Sequence, residues 1–182
     1  MIVLSADNIY TRFAEIRKIL RPLSNTEIAC NFYDARVGRG KVIAAYQGTK
    51  PEKYNYRDWY FKTVVSEFIG SYFELWEPNK SGTEWYLNRA YFTLFKKAGA
   101  DKSPIEYVCV HCDPNEPDGA PHFNYKRGPH IHIKAAHDPI PRAHIALDLT
   151  NVNALINDID LFNQSVERAM VLIKEEILEQ VN

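Results

Sequence analysis

Apolar and polar positions along this chain follow two different periods. Ile9, Phe13, Ile16 and Leu20 recur at helical spacing with charged residues between them. That stripe predicts an amphipathic helix over 6–22, capped by Ser5 or Asp7. Near the other end Val166, Met170, Ile173 and Ile177 form a second stripe. It predicts a helix over 163–180, capped by Asn163 or Ser165, with Glu and Lys on its far side.

Between these ends the period falls to two. Short strands are predicted over 27–36 and 41–47, joined at Val37-Gly38-Arg39-Gly40, where glycine supplies the positive φ that a hairpin turn needs. The aromatic-rich runs 71–76 and 85–95 predict two stronger strands, with turn chemistry at Pro78-Asn79-Lys80-Ser81-Gly82 between them. Further strands are predicted over 105–111, 130–136 and 143–149. The segment 47–58 reads as a loop, and 59–69 fits helix and strand equally well.

Hairpin-length connections call for antiparallel pairing. The predicted class is therefore α+β: an antiparallel β-meander sheet, with the N-terminal and C-terminal amphipathic helices packed on one face. A chain of 182 residues, 46% hydrophobic with three Trp, eleven Tyr and nine Phe, is expected to fold as a single domain, 1–182.

Charge is balanced at 22 Lys+Arg against 23 Asp+Glu. That excludes a dominant electrostatic pull toward nucleic acid or a membrane surface, though not a local basic patch. No apolar run approaches the roughly 18 residues of a membrane span. The opening residues lack the basic and long apolar regions of a signal peptide. Three cysteines, Cys30, Cys109 and Cys112, suit a reducing cytoplasm better than a disulfide framework.

The candidate chemistry is concentrated in one place. All six histidines lie between His111 and His144. In an extended chain His130, His132 and Lys134 share one face while Ile131, Ile133 and Ala135 share the other. On the preceding strand Tyr107, Cys109, His111 and Asp113 also share a face. Antiparallel pairing of the two would bring His111 close to His130.

Three imidazoles and a carboxylate would then converge. Such a group would hold a divalent transition metal through His111, His130, His132 and Asp113, and activate a bound water. Without a metal, His130 and His132 would serve as general acid and base, supported by His111, with Lys134 stabilising negative charge. Lys126 and Arg127, beside Tyr125, suit phosphate contact and base stacking. A structural role for the histidines, bonded to backbone and Tyr hydroxyls, stays open beside both.

Four other features carry weaker signals. Cys109-Val110-His111-Cys112 is formally C-x-x-C and would complete a two-Cys, two-His zinc site only if the strand ended near Val110. The turn Gly38-Arg39-Gly40-Lys41 has the composition of a phosphate loop. Trp76 and Trp85 read as a cross-strand core pair. Glu74 and Glu84 would form a carboxylate pair if the register brought them together.

Gly128-Pro129-His130-Ile131-His132-Ile133-Lys134 resembles the alternating-histidine strand of the histidine-triad nucleotide hydrolases. Lys134 stands at the third histidine position, and the preceding chain lacks that family's pattern, so its function is not carried over. The Trp76/Trp85 hairpin, the Val110-His111-Cys112-Asp113-Pro114 strand end and the His130/His132 strand, within residues 70–180, resemble uncharacterised small proteins of bacterial toxin–antitoxin or phage-defence loci. That resemblance implies a defence or toxin context.

The functional expectation is a cytoplasmic, histidine-centred phosphodiesterase or nuclease-like hydrolase acting on a nucleotide or RNA. The alternative is a non-catalytic module that binds a partner protein or a nucleotide. Oligomeric state is not fixed by the sequence.

Overall fold

The computed structural model describes residues 1–35, 39–50, 59–98, 103–115, 126–133, 143–147 and 151–181. The chain opens with a short strand, β1 (Val3–Ser5), and a 3-10 turn over Ala6–Thr11. Helix α1 (Arg12–Leu20) follows and closes in a second 3-10 turn, Arg21–Leu23. Pro22 sits in that turn, where its missing amide would break an α-helical ladder. The strands are β2 (Ala29–Asp34), β3 (Lys41–Tyr46), β4 (Phe61–Lys62), β5 (Phe68–Pro78), β6 (Glu84–Lys96), β7 (Ile105–Cys112), β8 (His130–Ile133) and β9 (Ala143–Ala146). Helices α2 (Val152–Leu155) and α3 (Ile159–Ile173) end the chain, α3 running on into a π-helical turn, Lys174–Leu178.

Among the described residues all nine strands belong to one antiparallel sheet with the path β2-β3-β5-β6-β7-β8-β9. This is the predicted α+β meander. The two shortest strands, β1 and β4, were not legible as strands. β6 is longer than its partner β7, and β1 fills the vacant end by pairing Val3 with Tyr86 and Ser5 with Glu84. Likewise β4 lies against the start of β5, pairing Phe61 with Gly70. A methyl group at Gly70 would overlap the Phe61 ring, so the close approach requires glycine.

Both terminal helices cover the same face of the sheet. Ile16, Ile19 and Leu20 of α1 and Phe162, Val166, Met170 and Ile173 of α3 pack on Ile43, Tyr72, Trp76, Phe92, Leu94 and Val110. Each large side chain buried there contributes about 1.5–3 kcal/mol. The predicted α3 caps are corrected. Asp158 caps the helix, its carboxylate accepting from the amides of Asp160 (2.8 Å) and Leu161 (3.1 Å). Helix α3 begins earlier than predicted because Phe162 joins the core.

Asn163, expected as a cap, lies inside and accepts from Arg12 Nη1 at 2.5 Å. Arg12 and Glu74 are 1% and 0% exposed and form an ion pair within the core. The Arg12 Nε donates to both Glu74 oxygens, at 3.1 and 2.9 Å, and Nη2 donates to Oε1 at 2.7 Å. Tyr72 and Trp76 complete the shell, donating to the carboxylate at 2.5 and 2.9 Å. Every listener around Glu74 is a donor, which is what a buried carboxylate requires.

Two further expectations are corrected here. Glu84 is exposed near Asn79 and Tyr86 at the hairpin end, so Glu74 and Glu84 form no pair. The register shifts between Leu75 and Trp76, so Trp76 pairs with Leu87 and Trp85 with Pro78. The two tryptophans are therefore not cross-strand partners. Lys41 forms an ion pair with Asp34 across the first hairpin, and Gly38 of the glycine turn lies outside the described residues. Among the described residues no helix is long and apolar enough to cross a membrane.

Candidate functional site

Alternation on β7 sends Val110 and Cys112 into the core beneath the helices, leaving Cys109 and His111 on the opposite face. On β8 the same rule sends Ile131 to the core side and both His130 and His132 to the other. The register pairs His111 with His130 and Cys109 with His132. The sequence expectation that three imidazoles meet on one sheet face thus holds for His111, His130 and His132. His144 stands opposite His132 on β9 in the backbone register.

One ring nitrogen from each of His111, His130 and His132 lies within 4.8 Å of the others. The Nε2 atoms of His130 and His132 approach to 2.9 Å. The His111 and His132 rings are 4.0 Å apart between centroids. His130 is fully buried, while His111 and His132 keep part of their surface exposed. The exposed side of the cluster therefore belongs to those two rings.

The rings are held from behind. Tyr91 of β6 stacks on His111, with centroids 3.9 Å apart and planes 12° from parallel. The Tyr91 hydroxyl donates to Asp113 Oδ1 at 2.7 Å. His130 Nδ1 faces the Gly128 carbonyl at 2.9 Å. A carbonyl only accepts, so Nδ1 carries the proton and the Nε2 of a neutral His130 presents its lone pair to the cluster. The proton in the 2.9 Å contact then belongs to His132 Nε2.

The Gly128 carbonyl is itself one of four in a row with a fixed partner. The Lys126 carbonyl accepts from the Asp113 amide at 3.0 Å, and the Arg127 carbonyl from Cys112 Sγ at 3.1 Å. The Pro129 carbonyl accepts from the Leu147 amide at 3.0 Å. Residues 126–129 are thus strapped across the end of β7 by their backbone, independent of their side chains.

Other predicted site residues fall into place unevenly. Asp113 is engaged by Tyr91 and stands outside the group of three converging ligands. Lys126 and Arg127, the first two residues of the strap, are half-buried. The Met1 amino group is pushed below its ordinary pKa by burial and then by the Arg127 charge. Tyr125 and Lys134 lie outside the described residues, as do His122 and His137.

The two-Cys, two-His zinc alternative is corrected. The strand continues through Cys112, so Cys109 and Cys112 point to opposite faces, and all three cysteines are free thiols. Burial, with Asp113 and Glu74 adding to it, pushes the Cys112 thiol well up. Cys109 Sγ lies 3.6 Å from Thr93 Oγ1 on the histidine face.

Sequence reasoning missed Tyr91 because its position over His111 depends on the β6–β7 register, which no local pattern carries. Comparison with known proteins adds no relative: no family model, no curated protein and no solved structure matches the chain.

Proposed function

We propose that this protein is a hydrolase of phosphate-containing substrates, a nucleotide or RNA, working at the His111–His130–His132 cluster. The observation that carries this reading is the convergence of three imidazoles on one sheet face with their ring nitrogens within 4.8 Å. Imidazoles at this spacing activate a water beside them, by taking its proton or through a divalent metal that they hold together. The water oxygen attacks phosphorus, the ester P–O bond breaks, and the proton that water sheds ends on the leaving oxygen. His111 and His132 face the substrate, and buried His130 orients His132 through the 2.9 Å contact. Lys126 and Arg127, with Tyr125 and Lys134, are proposed to receive the phosphate and the base. The resemblance to toxin–antitoxin and phage-defence proteins makes RNA or a signalling nucleotide the first substrate class to assay.

The test is hydrolysis of bis(p-nitrophenyl) phosphate, cyclic and linear dinucleotides, and short RNA by the full chain. Wild-type turnover should fall by about a hundredfold or more in His132→Ala, with circular dichroism unchanged. Absence of hydrolysis across that panel, or full activity in His132→Ala, would overturn the proposal.

A further inference from the structure

We infer that His111, His130 and His132 form a three-imidazole site for a divalent transition metal, zinc being the occupant best matched to the ligand set. The metal's role rests on the hydrolase reading above, whereas its binding is argued from geometry alone.

Three observations carry the site. First, three imidazole nitrogens come from two adjacent strands of one sheet and lie within 4.8 Å of one another. Ligand nitrogens on a tetrahedral zinc are roughly 3.3 Å apart, given Zn–N bonds of about 2.0–2.1 Å. Modest ring rotations therefore bring all three onto one ion. Among the described residues no other group of three or more His, Cys, Asp or Glu side chains converges in this way.

Second, His130 has the support that metal-bound imidazoles characteristically have. Its Nδ1–H donates to the Gly128 carbonyl at 2.9 Å, which fixes the ring and leaves Nε2 as the ligand atom. That carbonyl is held by the backbone strap, so the orientation survives without a metal.

Third, the two facing Nε2 atoms at 2.9 Å need something electropositive between them. In the free protein it is a single proton. A metal replaces that proton, and His132 passes to the tautomer that carries hydrogen on Nδ1. That proton moves to Nδ1 of the same ring, so both imidazoles bind as neutral ligands and no net proton is released.

The ligand set also says what kind of metal site this is. Three neutral imidazoles donate no negative charge, so the ion keeps its full Lewis acidity. Three protein ligands leave a fourth position for water, the arrangement of catalytic rather than structural zinc. The partly exposed His111 and His132 place that position toward solvent, on the side opposite the buried His130. Copper(II) and nickel(II) accept imidazole too, and copper is expected to bind more tightly in vitro.

The experiment uses the full chain, stripped with a chelator and reloaded with zinc. Elemental analysis should give one zinc per chain, and calorimetry should show one-to-one binding. His111→Ala, His130→Ala and His132→Ala should each weaken zinc binding by about a hundredfold or more. Cys109→Ser and Cys112→Ser should leave it unchanged, and a cobalt(II) derivative should show no thiolate charge-transfer band. Because His130→Ala opens a hole in a buried position, His132→Asn at the partly exposed ring serves as the variant that keeps the fold.

Failure to bind zinc stoichiometrically at micromolar concentration overturns the site. So does binding that survives the His132→Asn and His111→Ala changes in folded protein. Zinc bound by the three histidines without hydrolysis of any phosphate ester overturns the hydrolase reading and leaves the site standing. Hydrolysis undiminished in chelated, metal-free protein overturns the metal's part in the reaction and leaves the hydrolase reading standing.

Discussion

Arg12 and Glu74 meet in the interior with the guanidinium Nη2 2.7 Å from the carboxylate Oε1, and neither exposes more than 1% of its surface. The pair joins helix α1 to the interior strand β5, and Asn163 adds helix α3 to the same node. A buried ion pair is not in itself a large source of stability, because both charges give up their water. Removing one partner is costly, because the other charge stays buried alone.

Arg12→Ala is therefore expected to destabilise the fold by about 3–5 kcal/mol. The double change Arg12→Met with Glu74→Leu should cost much less than the sum of the two single changes. Urea unfolding of Arg12→Ala, Arg12→Met, Glu74→Leu and the double variant checks this. Additive effects would show that the two charges are not coupled.

Alkaline pH should weaken the fold through three groups whose neutral forms are preferred inside. Burial pushes the Cys30 thiol up to about 12 and the Cys112 thiol well above the ordinary 9.0. Burial, and then the Glu74 charge, pushes the Tyr72 phenol well above 10.0. A raised folded pKa means stability that is complete below the unfolded pKa and lost as pH climbs above it. The urea midpoint should thus be insensitive to these groups up to about pH 8 and fall from about pH 9 upward. Cys30→Ala and Cys112→Ala should each flatten that fall. A midpoint that is constant to pH 11 would contradict the burial of these groups.

Tyr91 should act on the metal site through His111. Removing the ring in Tyr91→Ala takes away the surface on which His111 stacks, and zinc affinity should drop by about 10–100-fold. Tyr91→Phe keeps the stack and loses the bond to Asp113, so its affinity should stay closer to wild type. Calorimetry with zinc, beside melting temperatures, separates the two variants. Equal affinity in wild type and Tyr91→Ala would show that the stack does not position His111.

Much of this was readable because alternation carries it. His130-Ile131-His132 states in sequence which residues face the core and which do not, and β7 repeats the pattern with Val110 between Cys109 and His111. Antiparallel pairing then left few ways for the imidazoles to miss each other. The Arg12–Glu74 node was harder, because its partners are 62 residues apart. A signal did exist. Arg12 lies three residues after Ile9 and four before Ile16, on the apolar stripe of its helix, and Glu74 sits between Tyr72 and Trp76 on an inward-facing row. A charge on a buried stripe implies an opposite charge to meet it. Asn163 carried the same signal three residues before Val166. The stacking of Tyr91 on His111 had no comparable trace, since it depends on a register set by the whole sheet.

The strap at residues 126–129 ties the chemistry to one margin of the protein. The Leu147 amide, just past β9, holds the Pro129 carbonyl, and β9 is the outermost strand of the sheet path. If that margin frays, the grip on Pro129 goes first, then the aim of Gly128, and with it the set of the His130 ring. Competence then follows the opening free energy of the last strands rather than that of the whole domain. Hydrogen exchange at Leu147 becomes a gauge of how often the site is assembled, and a ligand bridging β7 and β8 should slow that exchange while barely moving the global melt.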